Sequence, residues 1–191
     1  MIGRAPRAAR RPGTVRDRQT SEQRTLSRRT RGYAHFINVE QPPALVWRAL
    51  TIREWLERWY AVEAAIDARP GGRLVAKLRD GRRRDAVIDV YDEPRRLRLI
   101  YEPDAEFTAA AGRQVGAGPI TEDLLVDPKP GRTVIRLLGS GVPDDAAFDA
   151  YHTRLRSSWT YWLDTLRRLL EHADPAGAPP PERRVRPRTA R

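Results

Sequence analysis

Eight side chains carry whatever chemistry this sequence offers: Trp55, Trp59, Tyr60, Tyr101, Trp159, Trp162, His152 and Glu122. The six aromatics are the kind that line apolar small-molecule sites, and the same residues would equally fill a core, each burying roughly 150–250 Å². His152 falls on the apolar stripe of the C-terminal helix, where an imidazole can move a proton or orient a polar group. Glu122 shares a strand face with Leu124 and Val126 and can point inward as a second proton-transfer group, or sit at the wet end of its strand. These two are the catalytic candidates; the ligand-binding set is Trp55, Trp59, Tyr60, Tyr101, His152, Trp159 and Trp162. Trp47, on a helix that must pack against something, reads as core. His35, on the apolar side of the first strand, is a weaker version of His152, and His172 ends the last helix in solvent.

Other chemistries are poorly served. Three scattered histidines, no cysteine and no repeated carboxylate spacing argue against a metal site, and no cofactor is expected. Gly139-Ser140-Gly141 has neither the context of a phosphate loop nor that of a nucleophile elbow, so Ser140 is a poor nucleophile. The run Arg82-Arg83-Arg84 reads as a solvated hairpin tip, with Arg84 alone placed to capture an anion.

The elements that must position these groups follow from periodicity. Tyr33, His35, Ile37 and Val39 alternate as a first strand. Pro42-Pro43 starts a short helix through Leu50, and Thr51 with Glu54 matches a capping box opening a second, to about Trp59. In that helix Trp55 and Trp59 should stack one turn apart, and Glu54 should face Arg58. Strands then alternate with turns: Arg69-Pro-Gly-Gly72 suits a type II turn, Asp80-Gly81 a two-residue hairpin, and Asp92-Glu-Pro94 a further turn. Leu97, Leu99 and Tyr101 share one strand face. A Gly/Ala-rich loop, about 103–118, precedes a strand from Ile120 to Val126. A last strand, Arg132–Leu138, meets a turn at Gly139–Pro143. A long helix over 145–172 follows, with Asp144 and Asp145 at its start, and with Phe148, His152, Leu155, Trp159, Trp162, Leu166 and Leu169 on one stripe. Short connections favour an antiparallel meander. Only the last helix is long enough to cover its apolar face. The expected fold is α+β: a curved antiparallel sheet of about seven strands wrapped on one C-terminal helix, with two short helices after the first strand.

The net charge of +11 is concentrated at the ends. Residues 1–32 carry ten arginines against Asp17 and Glu22, and residues 173–191 carry five against Asp174 and Glu182, while 33–172 is formally neutral. Both ends lack the apolar content to fold and read as disordered tails, the second Pro/Arg-rich. Their charge suits nonspecific, salt-sensitive contact with nucleic-acid phosphates, without the aromatics that stack on bases. No apolar stretch approaches the roughly 18 residues of a membrane span, and no hydrophobic region follows the twin arginine Arg10-Arg11, so the cytoplasm is the expected compartment.

Within 33–172 the order of motifs resembles the SRPBCC (START-like) superfamily, and most closely its AHSA-like branch, related to the C-terminal domain of the activator of heat-shock-protein ATPase. The motifs are the segment Pro42–Thr51, Trp59-Tyr60, Pro70-Gly-Gly72, Gly139-Ser-Gly-Val-Pro143, and Trp159 with Leu163, Leu166 and Leu170. Ser158 and Val142 depart from that branch, where glycine and an aromatic are common. The resemblance implies a helix-grip fold with a cavity between sheet and C-terminal helix that binds a hydrophobic small molecule such as a lipid or polyketide. It also admits a cyclase- or hydrolase-type enzyme using His152, or a protein-binding module like a chaperone cofactor. The last would need an apolar patch on the outer sheet face, against which Arg96 and Arg98 argue.

Overall fold

A computed structural model describes residues 29–112 and 118–174. The tail readings for 1–28 and 175–191, and the part of the loop at 113–117, lie outside the described residues.

The chain runs β1 (Thr30–Val39), α1 (Pro43–Thr51), α2 (Arg53–Trp59), β2 (Glu63–Ile66), β3 (Arg73–Lys77), β4 (Arg83–Asp92), β5 (Arg96–Tyr101), α3 (Ala105–Ala111), β6 (Ile120–Lys129), β7 (Arg132–Pro143), a 3₁₀ turn (Ala146–Phe148) and α4 (Asp149–Glu171). The strands form one antiparallel sheet in the order β1-β7-β6-β5-β4-β3-β2. The strands β2 to β7 follow one another as a meander, and β7 pairs in turn with β1, so that β1 and β2 are the two edges of the sheet. Each strand alternates a buried inner residue with an outer one, as a half-covered sheet requires. α4 covers the inner face and lays Tyr151, Leu155, Trp159, Trp162, Leu163, Leu166 and Leu170 against it. This is the expected α+β helix grip.

The details correct several sequence readings. β1 begins at Thr30, so residues 30–32 belong to the body rather than to the tail. Thr51 makes no capping box: it is the last residue of α1, buried, and its hydroxyl donates back to Trp47 O at 2.8 Å. The cap of α2 is Ile52, with no side-chain bond, and its surface pair is Arg53–Glu57 rather than Glu54–Arg58. Trp59 packs on Tyr60 and Trp159 rather than on Trp55. The hairpin at Asp80-Gly81 has a three-residue loop, since Leu78 N donates to Arg82 O and Gly81 takes a positive φ of 83°, the geometry of a turn followed by a glycine bulge. The loop after β5 contains α3. Asp104 caps it by accepting from Phe107 N at 2.7 Å, and Phe107 is buried against Phe148 and Tyr151. Gly139–Pro143 is not a turn but the end of β7, which runs through to Pro143. The last helix is therefore shorter than expected, 23 residues or about 34 Å at ~1.5 Å per residue. Its start is fastened by Arg31, which bonds Asp149 at 2.7 Å and Asp145 O at 3.1 Å.

Candidate functional site

Glu122 occupies the centre of the inner face. Its strand neighbours there are Leu99 on one side and Gly139 on the other, and it is 0 % exposed. Three donors from three different elements converge on its Oε1: Tyr33 OH of β1 at 2.6 Å, Trp159 Nε1 of α4 at 2.6 Å and Arg84 Nη2 of β4 at 2.9 Å. Among the described residues no group donates to Oε2.

Neither β1 nor β4 is adjacent to β6, so two of these donors must reach over an intervening strand. Tyr33 does so over β7. A Cβ at Gly139 would stand 2.1 Å from the Tyr33 ring, so glycine there is what lets the ring lie flat across the strand. Arg84 does so over β5, with its guanidinium carbon 3.7 Å from the centroid of the Tyr101 ring, a desolvated cation–π contact. Its Nη1 donates to Tyr60 OH at 3.0 Å, and Tyr60 OH lies 3.4 Å from Tyr101 OH.

The electrostatics follow from burial. Desolvation pushes the Tyr33, Tyr60 and Tyr101 phenols upward, and the Glu122 charge adds to this. All three therefore stay protonated as donors. Burial opposes the charge on Arg84, but Glu122, Tyr101 and Tyr60 outweigh it and hold the guanidinium well above its ordinary pKa. The cluster is thus one cation and one carboxylate stitched together by neutral phenols.

Two spaces border it. Between the inner face and α4, Leu50, Leu124, Trp59, Tyr60, Tyr101 and Trp159 enclose only about 10 Å³, of the order of a single water. Tyr60 stacks on Trp159 and meets Trp162 edge-on at 4.9 Å, and Trp159 and Trp162 are perpendicular. Among the described residues this interior is a packed aromatic core, not a ligand-sized chamber. The larger of the two is a cleft of about 420 Å³ at the end of the sheet, with Arg84, Tyr101 and Tyr151 among its lining and the exposed Ala105 of α3 beside them. Arg84 and Tyr101 form the partition between cleft and core. Rim charges are paired: Arg82 with Asp80, Arg83 with Asp85, and Arg154 with Glu106. Burial, with Asp104 beside it, raises the Glu106 carboxyl.

Of the residues expected from sequence, Tyr60, Tyr101, Trp159 and Glu122 come together in this cluster, and Trp59 and Trp162 pack around it. Only Tyr101 also lines the cleft. Trp55 is core, and so is Trp47, whose Nε1 donates to Tyr91 OH at 3.3 Å. His152 stands elsewhere: half-buried, its Nε2 is 3.0 Å from Gly32 O, and its ring is edge-on to Tyr33. The imidazole pins α4 to β1 and does not line the cleft. His35 is half-buried, its pKa lowered by burial and by Arg156. His172 is exposed at the end of α4. Tyr33 and Tyr151 were missed, and Arg84 is buried rather than solvated at a hairpin tip. The available signal was alternation: Arg84 keeps the inward phase of Ala86 and Ile88. Among the described residues no cluster of His, Cys, Asp or Glu could hold a metal ion, and no helix is long and apolar enough to cross a membrane.

A seven-stranded antiparallel sheet gripping one long helix, with two short helices after its first strand and a polar cluster between, defines a helix-grip protein of the SRPBCC (START-like) type. Its family is equally plain: the chain belongs to the Activator of Hsp90 ATPase homolog 1-like family, whose model matches residues 40–171. Solved structures share the fold at low identity. MLL2253 from Mesorhizobium loti is 19% identical over 75% of this chain and 99% of its own, with a TM-score of 0.63. The Aha1 dimer from Colwellia psychrerythraea is 13% identical over 74% and 97%, with a TM-score of 0.62. DynU16, of the dynemicin biosynthetic locus, is 18% identical over 77% of this chain and 49% of that one, with a TM-score of 0.60. No curated protein matches the chain significantly.

Proposed function

We propose that this protein binds a small, largely apolar molecule that enters through the cleft beside α3 and sits against Arg84, Tyr101 and Tyr151. The observation that carries the reading is the cleft itself: about 420 Å³, within the range of small-molecule sites, floored by aromatic rings and one buried cation. Deeper entry, between sheet and helix as the family resemblance implies, requires the Tyr60–Trp159 stack to part, because the interior is packed. DynU16, from the locus of a small-molecule product, lends support as a fold relative. Native mass spectrometry of the protein purified from its own host tests the reading. A bound mass is expected, and it should vanish in Ala105→Trp, which fills the cleft from an exposed rim position without touching the buried cluster. A bound mass that survives this substitution places the ligand elsewhere.

A second reading, a protein-binding module, is favoured by one observation. On the outer sheet face Phe36 is 69 % and Leu138 46 % exposed, and they stand on paired strands, since Leu138 partners Ala34 and Arg136 partners Phe36. The charges expected to forbid such a patch, Arg96 and Arg98, are turned toward Asp123 at 2.6 and 3.0 Å. Phe36→Lys should leave the ligand mass and the melting temperature unchanged and weaken any partner complex; an unaffected complex removes this reading.

A further inference from the structure

The two edges of the sheet are finished differently. β2 is only four residues long, and its outward backbone is already engaged, since Ala64 N donates to Glu57 of α2 at 3.1 Å. Its Glu63 is paired with Lys77 at 3.0 Å. β1 is ten residues long, and side chains hold its backbone only towards the ends. His152 Nε2 meets Gly32 O at 3.0 Å, and Thr133 donates to Gln41 O, just past the strand, at 2.6 Å. Between them, from Tyr33 to Val39, no side chain among the described residues bonds the backbone, and the stretch holds no Asp, Glu, Lys, Arg or Pro. The register shift in its pairing with β7 falls before Tyr33. Short length, charge, proline and bulges are what keep a sheet edge from pairing with another chain, and this stretch has none of them. It also carries apolar surface: Phe36 is 69 % exposed on the outer face, and Ile37 is only half-buried on the inner one.

The charge pattern of the strand selects the occupant. Its start is basic, with Arg29 and with Arg31, which is shared with Asp149, and Glu40 follows its end. A second copy added antiparallel, about a two-fold axis normal to the sheet, sets each basic start beside the other's acidic end. Parallel pairing would oppose like charges. The same two-fold keeps inner side chains on the inner face and outer ones on the outer face, with Phe36 close to the axis. Because β2 is closed to a further strand, the pairing runs β1 to β1 and stops at two copies, where β1 to β2 would grow a filament. We infer that the free edge of β1 is a homodimer interface, in which the β1 strands of two copies pair antiparallel and join their sheets. The inference rests on the protein-binding reading above and names the partner.

Sedimentation velocity of the full chain from about 1 to about 200 μM tests this, because a dimer's population rises with concentration. The wild type is expected to pass from monomer to dimer. Phe36→Lys, which puts a charge near its own copy across the axis, should weaken the association at least about tenfold. Oxidative cross-linking then locates the contact. The chain has no cysteine, so a single introduced one can link only to another copy. Walked from Ala34 to Asn38, it should link fastest at one position, the one on the axis, and at least about tenfold faster there than in Leu138→Cys, one strand inward. A wild type that stays monomeric throughout overturns the inference and leaves the protein-binding reading standing with a different partner. A dimer that Phe36→Lys does not weaken, or one that links as fast through Leu138→Cys, overturns pairing at the β1 edge.

Discussion

Arg84 and Glu122 are joined at 2.9 Å although they belong to strands that do not touch, the guanidinium lying across β5 on the face of Tyr101 to reach β6. With 8 % and 0 % of their side chains exposed, they form an ion pair withdrawn from water. The desolvation of such a pair nearly cancels its attraction, so its members matter chiefly to one another. Arg84→Met should therefore destabilise the fold by about 3–5 kcal/mol, because it strands the carboxylate. The double variant Arg84→Met/Glu122→Leu should lose clearly less than the sum of the two single changes. Urea denaturation of the four proteins measures this, and strict additivity would show that the pair does not act as a unit.

Gly139 is the counterpart on the other side, where Tyr33 crosses β7. Adding a methyl group there collides with the hydroxyl-bearing end of the ring, Cζ and both Cε atoms, within 2.5 Å. Gly139→Ala should destabilise by about 1–3 kcal/mol as an overpacking change and should push the Tyr33 hydroxyl off Glu122. Pairing it with Tyr33→Leu, which removes the ring, should relieve most of the strain. Thermal melts of both variants decide.

Trp159 supplies the third donor. Trp159→Phe keeps an aromatic ring and removes the N–H that meets Oε1 at 2.6 Å, so it should cost about 1.5–3 kcal/mol, as for a hydrogen bond to a charged group. Trp59→Phe loses a bond to a neutral backbone acceptor, Ala49 O at 2.9 Å, and should cost less from its hydrogen bond. The two chemical denaturation midpoints, compared side by side, test the ranking.

On the outer face, Asp123 contributes to the acid limit. Burial alone would raise its carboxyl, but hydrogen bonds from Arg96 and Arg98 prevail and hold it below its ordinary value of 3.8. A depressed folded pKa means stability that is fully present above the unfolded value and is lost as pH falls through the folded one. Melting temperature should fall below about pH 4, and Asp123→Asn should flatten that limb while lowering stability at neutral pH. An unchanged acid limb would assign acid unfolding to other carboxylates.

Much of the architecture was legible because it depends on local pattern. Alternation at Leu97, Leu99 and Tyr101, the proline start of α1 and the heptad-like stripe at Leu155, Trp159, Trp162 and Leu166 are properties of short stretches, and each matched its element. The misreadings arose where distant residues overrule local signals. Gly139-Ser-Gly141 has turn composition, yet pairing with β1 and β6 keeps it extended, and its first glycine answers to the Tyr33 ring. Thr51 and Glu54 have capping spacing, but Thr51 is drawn back into α1. The segment after Tyr101 looks structureless until Phe107 finds Phe148 and Tyr151.

The polar cluster divides in the same way. That Glu122 points inward follows from period-two alternation with Leu124 and Val126, and the sequence alone carries that phase. Which residues meet it does not follow: Tyr33, Arg84 and Trp159 lie 89, 38 and 37 positions away in the chain. Strand order and register bring them to a single oxygen, because a side chain's phase is set by its neighbours in sequence and its partners are set by closure of the sheet around α4. The sequence thus determined an amphipathic meander, its helix and the inward face. Only the tertiary structure decided that His152 fastens a strand, that the aromatics pack a core, and that the cleft opens onto Arg84.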